Sequence, residues 1–122
     1  MGTAFSAIPI LRSFDEAKAR AFYVDFLAFD VDWEHRFEDR APLYMQLSRD
    51  GMRLHLTEHH GDTTPGTTVF VATEGLRDFH AEIAVKDYPF NRPNVDPAPW
   101  GGIMMEATDP FGNRLRFWED SD

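Results

Sequence analysis

The stretch Pro99-Trp100-Gly101-Gly102-Ile103-Met104-Met105-Glu106-Ala107-Thr108-Asp109-Pro110-Phe111-Gly112-Asn113-Arg114-Leu115-Arg116-Phe117 decides how the chain is read. It predicts a hairpin: an alternating strand, a tight turn over Asp109-Pro110-Phe111-Gly112-Asn113, and a second strand. The end of this stretch echoes an earlier one. Gly112-Asn113-Arg114-Leu115-Arg116-Phe117-Trp118-Glu119 repeats Gly51-Met52-Arg53-Leu54-His55-Leu56-Thr57-Glu58, with Gly, Arg, Leu and Glu in register. Self-similarity at a spacing near half the chain suggests a duplicated unit.

Outward from the hairpin, each half reads as the same series of elements. Residues 4–11 predict a short apolar strand containing Pro9, which has no N–H for a ladder and so suits an edge or an exchanged arm. Ser13-Phe14-Asp15-Glu16 has the form of a capping box with Ser13 as N-cap. The helix behind it carries Ala19, Phe22, Tyr23, Phe26 and Leu27 as one apolar stripe and ends near Ala28. Residues 29–37 predict a strand with Phe29, Val31, Trp33 and His35 on one face and Asp30, Asp32, Glu34 and Arg36 on the other. Leu43, Met45 and Leu47, then Met52, Leu54 and Leu56, alternate with polar residues around an Arg49-Asp50-Gly51 turn.

Residues 59–66 read as a linker. Residues 67–73 predict a β-branched strand, and Leu76, Phe79 and Ile83 mark a shorter helix. Residues 88–99 predict mostly loop with one weak strand, and the hairpin closes the half. The expected fold class is α+β: two βαβββ modules, 4–58 and 67–119, forming a half-barrel sheet within a single domain over 1–122. Neither half would bury much core alone, so the two are expected to share one.

Composition narrows the partners. The chain is 43% hydrophobic and 27% charged, ordinary for a folded protein. With no cysteine it has no disulfide, thiolate metal site or thiol nucleophile. No basic n-region with an apolar h-region opens the chain, and no apolar run approaches ~18 residues, so neither secretion nor a membrane span is expected. A cytoplasmic location is the default. The net charge of −9 argues against nucleic acid. It serves solubility or draws in cationic ligands.

Two βαβββ units of this length resemble the vicinal-oxygen-chelate superfamily of glyoxalases, extradiol dioxygenases, and fosfomycin- and bleomycin-resistance proteins. Ile10-Leu11-Arg12, the helix with Phe22-Tyr23, and the Asp109–Asn113 turn carry that resemblance. Within the superfamily the chain is similar to the bleomycin-resistance group. Ser6-Ala7-Ile8-Pro9-Ile10-Leu11 is similar to that group's exchanged N-terminal arm. Phe29-Asp30-Val31-Asp32-Trp33 and Pro99-Trp100-Gly101 match its two segments whose aromatic residues stack on the drug. The resemblance implies the glyoxalase/bleomycin-resistance/dioxygenase fold and a homodimer with a swapped N-terminal strand.

Metal-dependent members of the superfamily place four ligands on the first and last strands of each half. Carried onto this sequence, those positions fall on Ile8, His55, residues 67–70 and Arg116. Ile8 has no donor atom and Arg116 is a fixed cation, so no metal site and no cofactor is expected. His55 reads as a hydrogen-bonded wall residue or as a general base. His59-His60 read as linker, and Glu106 and Arg116 as a cross-strand pair. No Gly-rich phosphate loop, Ser-His-Asp order or H-E-x-x-H pattern is present, so no catalytic residue is assigned.

Trp33 and Trp100 read either as packing residues or as two platforms on opposite walls of a cleft. Asp32, Glu34, Glu38 and Asp39 would form an acidic rim, while Arg53, Arg114 and Arg116 alternate toward the side of His55. The expected ligand-binding set is Trp33, Trp100, Asp32, His55 and Gly101. The expected function is non-catalytic binding and sequestration of a cationic, heteroaromatic, bleomycin-like antibiotic, giving resistance. The alternatives are a glyoxalase- or dioxygenase-type metalloenzyme drawing on His55, His59 and Glu106, and a binder of another small aromatic metabolite.

Overall fold

The computed structural model describes residues 2–121. Two four-stranded sheets are built in the same way. In the first, β1 (Ile10–Arg12) runs parallel to β4 (Met52–Thr57), which pairs antiparallel with β3 (Tyr44–Arg49), and β3 with β2 (Asp30–His35). In the second, β5 (Thr68–Ala72) runs parallel to β8 (Arg114–Glu119), followed by β7 (Ile103–Thr108) and β6 (Val95–Pro97). Helix α1 (Glu16–Arg20) continues as a π-turn over Ala21–Phe26, and α2 spans Leu76–Ala84. The result is an α+β fold of two curved sheets, with few helices.

The alternation read from the sequence sets the two faces of each sheet. Leu11, Met45, Leu47, Leu54 and Leu56 of the first sheet, and Met105, Ala107, Leu115 and Phe117 of the second, turn into one hydrophobic cluster. The helical stripe joins them: Ala19, Phe22, Tyr23, Phe26 and Leu27 are all buried. Each large side chain withdrawn from water contributes about 1.5–3 kcal/mol before conformational entropy is set against it. Tyr23 also crosses between the halves. Its hydroxyl donates to Asp109 at 2.6 Å, and Asn113 of the same turn donates to Asp109 and to the Arg12 carbonyl. Burial pushes the Asp109 carboxyl up, against four donors that pull it down.

Three local expectations are corrected. The first strand is shorter than residues 4–11: only Ile10–Arg12 make a ladder, and Pro9 contributes its carbonyl alone, accepting from the His55 amide. The N-cap of α1 is Asp15, whose carboxylate accepts from the Lys18 amide. Ser13 is buried, and its own amide donates to the Thr57 carbonyl, extending the β1–β4 pairing. The third correction concerns β2. Its register slips between Val31 and Trp33, a β-bulge, so Val31 packs toward the core while Trp33 lies opposite Gln46 on the other face. Among the described residues no helix is long and apolar enough to cross a membrane.

Candidate functional site

The face of the first sheet turned away from the core carries a connected polar floor. Gln46 lies across from both His55 and Trp33, and Ile10 stands beyond His55 on β1. Gln46 donates its amide N–H to Asp32 Oδ2 at 2.9 Å, so its Oε1 must face the other way. That oxygen lies 3.0 Å from His55 Nε2 and fixes the proton there. Nδ1 is then the acceptor, and the Tyr44 hydroxyl donates to it at 2.7 Å. The donors point in one direction, Tyr44 to His55 to Gln46 to Asp32, with Ser48 donating to the second carboxylate oxygen at 2.8 Å.

The charges follow from this chain. Hydrogen bonds from Gln46 and Ser48, helped by Arg53, hold the Asp32 carboxyl below its usual range, so it is an anion at neutral pH. Burial, with Arg53 nearby, lowers the His55 pKa and keeps the ring neutral. Burial raises the Tyr44 phenol, with Asp62 adding to the effect. Trp33 stands above this floor, 43% exposed. Its ring stacks on Tyr44, 6.0 Å between centroids with planes 6° apart, and meets the His55 ring edge-on at 5.3 Å. The bulge is what allows Asp32 and Trp33, adjacent in sequence, to serve the same face.

The second sheet presents a different surface at matching positions. Phe70 lies across from Arg116, and Arg116 from Glu106, to which it donates at 3.1 Å. Trp118 follows on β8, its ring 5.8 Å from Phe70. Trp100, 55% exposed, also comes within 6.3 Å of Phe70. The Trp100 loop is tied down at three points. Gly101 donates to the Ala98 carbonyl, Ala98 to the Gly102 carbonyl, and Trp118 Nε1 to the Gly101 carbonyl at 2.8 Å. A Cβ at Gly102 would sit 2.2 Å from the Glu119 carbonyl oxygen, so only glycine fits there.

The expected site residues are thus placed as two groups. Trp33, Asp32 and His55 stand together on the first sheet. Trp100 and Gly101 lie beside the second, and among the described residues no ring contact links the two tryptophans. Glu34 leaves the acidic rim, because it lies on the helix side of β2 and pairs with Arg20 at 2.8 Å. Tyr44, Gln46, Phe70 and Trp118 were missed. Their signal was the alternation itself: with Leu43, Met45 and Leu47 inward, Tyr44 and Gln46 must face outward, as Phe70 must between Val69 and Val71.

The donor set does not fit a divalent metal. The positions facing His55 and Arg116 on the first strands are Ile10 and Phe70, which have no donor atoms. Both His55 nitrogens are hydrogen-bonded within the sheet, and Glu106 is paired with Arg116. No group of three His, Cys, Asp or Glu residues able to hold a metal occurs among the described residues. The same commitment of both nitrogens leaves His55 without a free lone pair for general-base work. What the surfaces offer is aromatic stacking beside a fixed negative charge.

A family model described as glyoxalase superfamily protein matches residues 3–122. The chain belongs to the glyoxalase superfamily. No curated protein matches it. Among solved structures it is similar to the bleomycin-binding protein from bleomycin-producing Streptomyces verticillus in complex with copper(II)-bleomycin. The identity there is 26%, all of both chains is covered, and the TM-score is 0.67. An antibiotic-binding protein from Streptomyces sp. CB03234 is 21% identical over 98% of this chain and 100% of its own, with a TM-score of 0.69. A glyoxalase family protein from Bacillus anthracis is 18% identical over 99% and 100%, with a TM-score of 0.67. The last two comparisons bear on the superfamily's fold alone, which hosts many chemistries.

Proposed function

We propose that this chain binds and sequesters a bleomycin-type antibiotic, cationic and heteroaromatic, without changing it chemically, and thereby protects the cytoplasm of its host. The observation that carries this reading is the pairing of Trp33 with the ionised Asp32 on one exposed face. A planar cation meets both there: the ring stacks and the carboxylate attracts. The likeness to the Streptomyces verticillus protein, which is crystallised with copper(II)-bleomycin, supports the ligand class.

The reading includes a homodimer. Trp33 stands on the first sheet and Trp100 on a loop beside the second, and both are exposed, so a second copy set against the first can bring one copy's Trp33 opposite the other's Trp100. Residues 2–9 suit an arm that reaches across. Inside the chain they are held by the Pro9 carbonyl and by Ser6, which accepts from Arg53 at 2.7 Å, while Phe5 is 94% exposed. Titrating bleomycin against tryptophan fluorescence tests the proposal: saturable quenching is expected, and none at high micromolar drug overturns the bleomycin assignment. Light scattering tests the dimer, and a monomer at micromolar concentration removes the shared cleft.

A further inference from the structure

A cavity of about 390 Å³ opens between the tip of the β3–β4 hairpin and the start of α2, on the opposite side of the sheets from the tryptophan faces. Phe29, Met52, Val71, Phe79 and Phe117 give it apolar walls, and Asp50, Glu74 and Asp78 stand exposed around it. Arg49, the one cation of the lining among the described residues, is already neutralised. It holds Glu82 in two hydrogen bonds of 2.8 and 2.7 Å and Asp50 at 3.1 Å, and lies 4.6 Å over the Phe79 ring. Glu74 and Asp78 make no ion pair or side-chain hydrogen bond among the described residues.

The duplicated architecture supplies a control within the same molecule. Asp15 and Gly75 are the N-caps of the two helices, and the residues just before them are Phe14 and Glu74. The hairpin turns carry Gly51 and Gly112, preceded by Asp50 and Phe111. In one seam, then, Phe14 and Phe111 pack together with ring centroids 6.0 Å apart. In the other, the two rings are replaced by the exposed carboxylates of Glu74 and Asp50, and the cavity lies open beside them.

We propose that this open seam is a second small-molecule site, taking an organic cation with one aromatic ring, of the arylalkylammonium class. The ring enters among Phe29, Met52 and Phe117, and the ammonium stays outside between Glu74 and Asp78. A volume near 390 Å³ accommodates such a ligand, since small-molecule sites begin at roughly 300 Å³. No tryptophan lines the seam, so this site and the bleomycin reading fail or stand separately.

The test is a titration of ¹⁵N-labelled protein with 2-phenylethylammonium chloride, followed by amide shifts. Saturable shifts at Thr73, Gly75 and Asp78 are expected in the range of about 1–20 mM. The neutral isostere 2-phenylethanol should bind at least about five-fold more weakly, as should the amine to the Glu74→Gln/Asp78→Asn variant. Glu74→Phe, which restores the ring found at Phe14 in the closed seam, should abolish saturation. Absence of saturable shifts, equal binding of amine and alcohol, shifts confined to Trp33, Tyr44 and Trp100, or an unchanged affinity in the double variant would each overturn the proposal.

Discussion

The outward faces of the two sheets hold equivalent strand positions and opposite chemistry. Ile10, His55 and Gln46 stand side by side on the first; Phe70, Arg116 and Glu106 take the same places on the second. One face is a hydrogen-bonded floor whose donors all run toward a carboxylate. The other is a run of rings flanked by one ion pair, with its tryptophan delivered by a loop. The repeated topology fixes where side chains stand and leaves their chemistry free: an anchored carboxylate on one face, mostly ring area beside an ion pair on the other.

The comparison breaks most visibly if the halves are not one cooperative unit. Leu54 and Leu115 are counterparts, both fully buried in the shared core. Leu54→Ala and Leu115→Ala should each remove about 2–5 kcal/mol, in a single urea transition. Two transitions, or a loss confined to one half, would show that the sheets fold apart. A smaller asymmetry is expected at Tyr23 and its helical counterpart Ile83. Tyr23→Phe deletes the hydroxyl that reaches Asp109 across the halves and should lower stability by about 1–3 kcal/mol. Ile83→Val, with no such bond to lose, should cost about 0.5–1.5 kcal/mol. Thermal melts of the two variants compare them directly.

Single truncations test the proposed binding surfaces. Trp33→Ala and Trp100→Ala should each weaken bleomycin binding by about 1–3 kcal/mol, a stacking-sized loss. Trp100→Ala should leave folding nearly untouched. If it instead costs about 3–5 kcal/mol of stability with affinity per folded molecule unchanged, Trp100 is packing and not platform.

The smallest effect belongs to the first face alone. His55 titrates below its ordinary value of 6.5 in the folded chain, so the unfolded chain takes up the proton first. Its contribution to stability is therefore present in full above the ordinary value and declines as pH falls from there toward the lowered value. His55→Gln should flatten that part of a melting-temperature-against-pH curve, whereas Arg116→Gln on the second face should leave its shape unchanged.

Much of this was legible in the sequence because it is written in local periodicity. The alternation around Asp50-Gly51 and the stripe through Phe22 and Tyr23 can satisfy only one arrangement of faces. What escaped was set by distant partners. Ser13 and Asp15 are both good caps. The helix begins at Glu16, behind Asp15, while Ser13 stays in the β1 pairing, its amide held by Thr57 more than forty residues away. The slip in β2 has no signature in a run that alternates as evenly as Phe29, Val31, Trp33 and His35; only its pairing with β3 reveals it. The separation of Trp33 from Trp100 was hidden for the same reason, since which sheet a segment lies against is a tertiary fact.

That slip gives β2 an unusual tolerance. Removing one residue from a regular strand turns every later side chain to the wrong face. In β2 the residue to remove is the surplus one. Deleting Asp32 would leave Val31 against Leu47 and bring Trp33 in as its direct successor, still against Gln46, so the parity of both flanks survives. Deleting Asp30 or Glu34 has no such escape. The negative charge of this face is thus carried as an insert in an otherwise even strand, and it can be withdrawn without changing the face of the ring beside it.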